Sequence, residues 1–437
     1  MNKVLIIADD LTGANDAGLQ FAKQGFETLS VLTLTETEEI QEADVLVYNI
    51  ETRSIEPLKA YQKMKAVAES FSLSKFPFVL KKIDSTMRGN IGTELDALLD
   101  LNIFDIAVVL PAYPKNDRIT IGGYHIVKGC LLEDTEMAKD SKSPVAESHL
   151  PSLLKSSSGR AVGHIHIREV RKREVLADRI HECVKHNERI IVFDSCLQED
   201  LKSITKAVVE SGLRVIWVGS AGLAESLSQE IKTENQKIDR VLHSGRKCNS
   251  RVFTIAGSVS GITKAQVKAL TEQKGFEEIQ ATPLLLLEDY SRIKEIARLT
   301  ETIIDRINKG YSPVLTTDTS SQCMEQLHVK RESAGMSSME LGNIIAESLG
   351  SIGASIAARK DIAGLILTGG DIAYQTCRQA GVQVMRVVDE VEEGIPLCEI
   401  AGGSANGLPI VTKAGAFGNT ASLIHAAEVI QKYSSNN

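Results

Sequence analysis

Two carboxylates, Asp9 and Asp10, stand side by side at the end of "VLIIADD", an apolar run that reads as a buried strand. Acids packed against the end of a buried strand cost free energy unless they hold something. "LTGAND" follows, in which Thr12 or Asn15 can start a helix and Gly13 lets a ligand or a backbone approach closely. One acid could cap that helix. Adjacent side chains diverge, so both cannot, and the doublet is expected to contact a ligand.

A second cluster is "KKIDSTMRGNIGTEL", 81–95. A strand would deliver Lys81 and Lys82 on opposite faces, followed by Asp84, Ser85, Thr86 and Arg88 and then by Gly89 and a helix. This mixture suits a polyhydroxylated anion, with Lys and Arg for a carboxylate or phosphate and Asp and Ser for hydroxyls. "ETRSI", 51–55, could bring Arg53 over the same crevice. "PAYPKNDRITIGGYH", 111–125, is rich in Pro, Gly and charge and reads either as a long functional loop or lid or, equally, as a well-ordered surface connection.

The later chain has a different chemistry. Small residues follow its strands in "AGSVSG" (256–261), "TGGD" (368–371) and "TKAGAFGN" (412–419), each leading into a helical pattern. Backbone amides at a glycine-rich helix start can bind phosphate, and Lys413 adds a cation. Neither G-x-x-x-x-G-K-[ST] nor G-x-G-x-x-G after the first strand is present, so a P-loop and a Rossmann dinucleotide site are disfavoured.

The elements that must position these residues alternate. "KVLIIA", "DVLVYNI", "FPFVLKKI", "DIAVVLP", "RIIVFDS" and "RVIWVGS" read as buried strands in the first half, with amphipathic stretches such as 56–70 and 173–185 between them. Polar, charged residues 228–250 precede a new series: "RVFTIAGS", "SPVLTTD", "AGLILTGG" and "GLPIVTKAG". The pattern predicts an α/β protein of two domains, each a mainly parallel sheet flanked by helices. The expected division is an N-terminal domain over 1–235, a linker over 236–250 and a C-terminal domain over 251–437.

Composition narrows the function classes. The 437 residues carry a net charge of −8, which disfavours a broad nucleic-acid face. No apolar run is long enough to span a membrane, and no export signal is read, so a cytoplasmic protein is expected. The seven cysteines are scattered without a CxxC pair, which fits reduced thiols. His164 and His166 in "GHIHI" lack a third ligand at motif spacing, so no metal site is assigned.

Taken together, "IADDLTGANDAG", "KKIDSTMRGNIGTEL", "PAYPKNDR", "LILTGGD" and "TKAGAFG" resemble the four-carbon acid sugar kinases, in that family's order and through essentially the whole chain. The resemblance implies a sugar-acid site of Asp10, Arg53 and the stretch Lys82, Ile83, Asp84 and Ser85. Asp9 and Arg88 join it on the residue reading. An ATP site would comprise Ser258, Thr368, Gly369, Gly370, Asp371 and Gly415, with Lys413 beside them, and the active-site cleft would lie between the domains. The implied reaction is ATP- and Mg2+-dependent phosphorylation of a tetronate 4-hydroxyl, with Asp10 or Asp84 as base. The opening wording is closer to D-threonate kinases. D-erythronate and 3-oxo-tetronate kinases are the alternatives, and a non-catalytic small-molecule sensor is the alternative of another class. The implied partners are the sugar acid and ATP, with no nucleic acid or membrane; the sequence leaves the oligomeric state open, and a homodimer is compatible with it.

Overall fold

The computed structural model describes residues 3–33, 38–140, 142–232, 250–257, 260–415 and 417–435. The expected linker therefore lies, apart from residue 250, outside the described residues. Those up to 232, except 29–33, form one compact unit; 29–33 and the residues from 250 onward form a second. The grouping of 29–33 with the second unit is not legible in a division at 235.

The strands run Val4–Ala8 (β1), Thr28–Val31 (β2), Val45–Asn49 (β3), Phe78–Lys82 (β4) and Ile106–Leu110 (β5), then Arg118–Ile121 (β6), Tyr124–Val127 (β7) and Cys130–Leu131 (β8). Val162–Ile165 (β9), Ile190–Phe193 (β10) and Val215–Gly219 (β11) follow. In the first unit the order β3-β1-β4-β11-β5-β10-β9 is parallel throughout. β1, β5 and β11 are buried along their whole length, as their unbroken runs of β-branched and apolar residues require when helices cover both faces. Trp217, Phe193, Ile6 and Val108 belong to one core on this sheet. The chain passes from β1 to β3 on one side and then to β4 on the other, which makes the carboxyl end of β1 a topological switch point.

The 111–125 segment is more ordered than a lid. β6 and β7 form an antiparallel hairpin that β8 extends. Thr120 exchanges backbone hydrogen bonds with Ser195 just beyond β10, and Asp194 accepts from the amides of Gly122 and Gly123 at 2.8 and 2.9 Å. These bonds tie the hairpin to the main sheet.

The second unit contains Val252–Ala256 (β12), Phe276–Ala281 (β13), Ser312–Thr317 (β14), Gly364–Thr368 (β15), Val384–Glu392 (β16), Ile395–Ala401 (β17) and Pro409–Lys413 (β18). Its order is β13-β14-β12-β15-β18-β17-β16-β2. β13, β14, β12, β15 and β18 are parallel, whereas β17, β16 and β2 are antiparallel additions. The β16–β17 hairpin is not foreseen in the sequence reading, because the acids of "VDEVEEG" interrupt its apolar pattern. Here β12 lies between β14 and β15, so a second switch point falls at the ends of β12 and β15.

Candidate functional site

Asp9 and Asp10 separate into two tasks. Asp10 caps helix Leu11–Ala22, with Oδ1 accepting from the Gly13 amide at 3.1 Å and Oδ2 from the Thr12 hydroxyl at 2.6 Å. Such a cap contributes on the order of 1 kcal/mol. Asp9 is buried and takes Arg53 in a two-pronged pair, Nε to Oδ2 at 3.0 Å and Nη2 to Oδ1 at 2.9 Å. Arg53 Nη2 also donates to Asp10 Oδ1 at 2.6 Å. Both oxygens of Asp9 are thus committed to Arg53, which gives Asp9 the role of setting the guanidinium plane rather than the direct ligand contact expected of it. The two hydrogens on Arg53 Nη1 are left over from these bonds.

The charges support one another. Burial pushes the Asp9 carboxyl up, but Arg53, with Lys81 and Lys82 nearby, holds it below its ordinary value. Burial likewise opposes the charge on Arg53, and Asp10, Asp9 and Asp84 raise its pKa well above the ordinary value. The two lysines at the end of β4 diverge as alternation requires. Lys81 is fully buried against Glu94 at 2.9 Å, while Lys82 Nζ donates to the Ile83 carbonyl at 2.9 Å and sits beside Gly13. A Cβ on Gly13 would fall 2.4 Å from Asp10 Oδ1 and 2.8 Å from Lys82 Nζ, so glycine is needed there for close approach. Ile83 contributes only its backbone, its side chain being buried.

Asp84 accepts from the Thr86 hydroxyl at 2.6 Å and from Arg88 Nε, both through Oδ2. Burial works against its ionisation, yet Arg88 and Arg53 outweigh that and hold the carboxyl far below the usual carboxylate range. Arg88 reaches on to Asp140 at 3.0 Å. Gly89, at φ +106°, packs its backbone against Asp9 and Arg53. Ser85 lies at the partly exposed surface of the same turn. A cavity of about 370 Å³ opens beside these residues, lined in part by Arg53, Met87, Gly89, Asn90, Lys142 and Ser143. The loops after β1, β3 and β4 therefore bring Asp9, Asp10, Arg53, Lys82, Asp84 and Arg88 together at the switch point. Together they present donors for an anion and acceptors for hydroxyls.

Sequence reasoning missed Glu94, which pairs with Lys81; Asp140, which pairs with Arg88; Arg118, whose charge acts on Asp84; and His125, whose ring reaches the Ser85 carbonyl. Arg118 and His125 fall inside the quoted 111–125 stretch, but nothing in that stretch says which side chain turns inward. No local signal marks Asp140.

In the second unit the three glycine loops follow the adjacent strands β12, β15 and β18. Gly369, at φ +106°, starts helix Gly370–Gln379 and donates its amide to the Lys413 carbonyl at 2.8 Å. Thr368 is buried at the end of β15, and Asp371 is exposed in the helix's first turn. Ser260 caps helix Gly261–Thr271, and its hydroxyl and that of Thr263 each donate to the Gly415 carbonyl at 2.9 Å. Lys413 Nζ donates to the carbonyls of Ala414 and Phe417 at 2.9 and 3.1 Å. That ammonium thus builds the loop, a different employment from the direct phosphate contact expected of it. Burial lowers its pKa to about 8, with Glu392 opposing the shift. Ser258 lies outside the described residues. Helix starts at adjacent strand ends point backbone amides beyond the sheet, the arrangement that accepts phosphate groups.

The histidine pair has a third neighbour after all. His164 and His166 rings stand 4.2 Å apart, and Asp194 completes a group whose ligand atoms lie within 4.8 Å. Asp194 accepts from His164 at 2.8 Å and from the Ile167 amide at 3.0 Å, besides the two hairpin glycines. Those bonds give the carboxylate a structural task. Among the described residues no helix is long and apolar enough to cross a membrane.

With this geometry in place, comparison with known proteins becomes specific. A sugar-binding N-terminal domain family matches residues 4–227, and a nucleotide-binding C-terminal domain family matches 253–423. The chain is 32% identical over 434 residues to a D-threonate kinase of Salmonella typhimurium, covering 98% of this chain and 99% of that protein. The chain belongs to the four-carbon acid sugar kinase family. A D-erythronate kinase of Heliobacterium modesticaldum is 30% identical, covering 96% of this chain and 95% of that one. A solved structure from Salmonella typhimurium, named "putative tRNA synthase", matches with a TM-score of 0.78 at 22% identity, covering 98% of this chain and 99% of that one, and supports the fold alone. The protein is a sugar-acid kinase of this family, and the sugar-binding match covers its first unit from residue 4 to 227 together with the 29–33 segment.

Proposed function

We infer that the protein transfers the γ-phosphoryl group of ATP to the 4-hydroxyl of a four-carbon sugar acid, D-threonate first among them. The observation that carries this reading is the meeting of Arg53 and Lys82 with Asp10 and Asp84 at one switch point, within the region matched by a sugar-binding domain. Arg53 Nη1 and Lys82 Nζ supply donors for the substrate carboxylate. Ser85 and Oδ1 of Asp84, which takes no hydrogen bond from the described residues, supply partners for its hydroxyls.

Asp84 orients the attacking hydroxyl; its depressed pKa makes it a weak base. Asp10, whose Oδ2 accepts a single hydrogen bond from the described residues, takes the proton, a contribution of roughly 10²–10⁴-fold for a well-placed base. In the second unit, the amides at the starts of helices Gly261–Thr271 and Gly370–Gln379 fit the phosphates of a nucleotide. An acid at such a helix start repels phosphate but suits a hard, oxygen-liganded cation, so Asp371 would hold Mg2+ travelling with ATP. When bound, such an ion would supply neutralisation of the phosphate charge. The protein's share is positioning.

D-Erythronate is the second reading, favoured by a relative of nearly equal identity that bears that name. The test is an ATP-coupled assay of D-threonate, D-erythronate, their L-isomers and 3-oxo-tetronate, with and without Mg2+. Magnesium-dependent turnover of one tetronate is the expected outcome. ATP binding with no turnover of any of them would overturn the substrate assignment.

A further inference from the structure

The buried histidine of the β6–β7 hairpin has no part in the chemistry above, yet it reaches the substrate turn. His125 is wholly buried. A buried ring nitrogen without a partner is costly, and here both have one: Nε2 lies 2.7 Å from the Ser85 carbonyl and Nδ1 lies 3.1 Å from the Thr120 hydroxyl. A carbonyl can only accept, so Nε2 carries the hydrogen and Nδ1 accepts from Thr120. Burial, with Arg118 adding to it, lowers the ring's pKa to about 4, so it is neutral at physiological pH and this tautomer is maintained.

The carbonyl that His125 holds belongs to a turn in need of outside support. Met87 follows at φ +59° and Gly89 at φ +106°, so the backbone between Asp84 and Asn90 passes twice through the left-handed region. A non-glycine residue there persists only where its surroundings over-determine it. The hairpin can provide this because it is anchored. Beyond its bonds to Ser195 and Asp194, the His125 amide donates to the Ser148 carbonyl at 2.8 Å.

We propose that His125 is a positioning residue for sugar-acid recognition, transmitting the rigidity of the anchored hairpin through its bond to the Ser85 carbonyl to the turn that carries Asp84, Ser85 and Arg88. This deepens the assignment of that turn to the sugar acid and rests on it. His125 acts through the Ser85 carbonyl and contacts neither the substrate nor the transferring group. It fixes where Asp84 and Ser85 point.

The test compares His125→Phe, which keeps the ring shape without a donor, with His125→Gln, whose side-chain amide can restore one. Losing one buried hydrogen bond to a recognition loop is expected to raise KM for the sugar acid about 10- to 100-fold. KM for ATP should stay within about 3-fold, and His125→Gln should recover most of the loss. Thr120→Val, nearly isosteric, removes the hydroxyl that donates to Nδ1 and steadies the ring; it should give the same split at smaller size if His125→Phe does not fold. Hydrogen–deuterium exchange gives a readout independent of turnover: amides of 84–90 should exchange faster in His125→Phe than in wild type, and near wild-type rates in His125→Gln. Parallel loss of sugar-acid and ATP parameters with folded fraction, or unchanged exchange over 84–90, would overturn the proposal. Absence of tetronate turnover by the wild type would instead overturn the substrate assignment, and the exchange comparison would still decide the role of His125.

Discussion

Replacing Arg53 by alanine separates its two roles, because the same side chain neutralises Asp9 and faces the cavity. The Asp9 side chain is 2% exposed and that of Arg53 is 17% exposed. Removing one partner of a buried pair costs about 3–5 kcal/mol, since the other charge is left without compensation. The partial exposure of Arg53 places the expectation near the lower end, about 3 kcal/mol. For a unit of this size that corresponds to a fall in Tm of roughly 6–12 °C, measured by calorimetry. The pH profile should also change sign. In the wild type the Asp9 carboxyl is depressed, so its contribution is present above the unfolded pKa and lost as pH falls through the folded value. Without Arg53, burial is the largest remaining influence and raises the pKa of Asp9. The variant should then gain stability as pH is lowered from 7 towards 5. Arg53→Ala/Asp9→Asn should recover about 2 kcal/mol of the loss, because no charge is left stranded. Two results would refute this: the second substitution adding its own cost to the first, or the single variant gaining no stability between pH 7 and 5.

Further outcomes follow from the same geometry. Gly89→Ala forces a side chain into a φ of +106° with its Cβ 3.3 Å from Asp9 Oδ2; it should cost about 1–3 kcal/mol by denaturant unfolding and raise KM for the sugar acid. Asp10→Asn should lower kcat by roughly 10²–10⁴-fold and Asp84→Asn, which loses only an orienting contact, by less, both with little change in the KM for ATP. Asp10→Asn should retain much of the helix cap, so equal losses of Tm and activity would count against its role as base. Lys413 has a folded pKa near 8, below its ordinary value, so the folded state binds fewer protons between about pH 8 and 10.5. Stability attributable to this group should therefore rise with pH across that window, and Lys413→Met should abolish the rise.

The fold class is written locally in this sequence. Unbroken apolar runs such as Val4–Ala8 and Ile106–Leu110 can be buried on both faces only in a helix-covered, mainly parallel sheet, and that pattern needs no knowledge of neighbours. The same holds for the glycine loops, whose backbone geometry is a property of a few consecutive residues. The acidic β16–β17 hairpin is the exception, because its stability comes from sheet partners and not from a clean alternation. The candidate site divides along the same line. That Asp9, Asp10, Arg53 and the Lys82–Arg88 turn form a candidate site was legible from residue types crowded behind strand ends. Which acid holds which base was not. Asp9 is 44 positions from Arg53, and only the parallel pairing of β1 with β3 brings them to 3.0 Å. Lys81 and Lys82 are neighbours in sequence, but strand alternation sends one into a buried pair with Glu94 and leaves the other beside Gly13. The hydrogen bond from His125 to Ser85 spans 40 positions and exists only because the hairpin is pinned to the end of β10. Residue types and spacing determined the kind of chemistry. Long-range packing decided which side chains take part, because pairing between distant segments leaves no trace in local sequence.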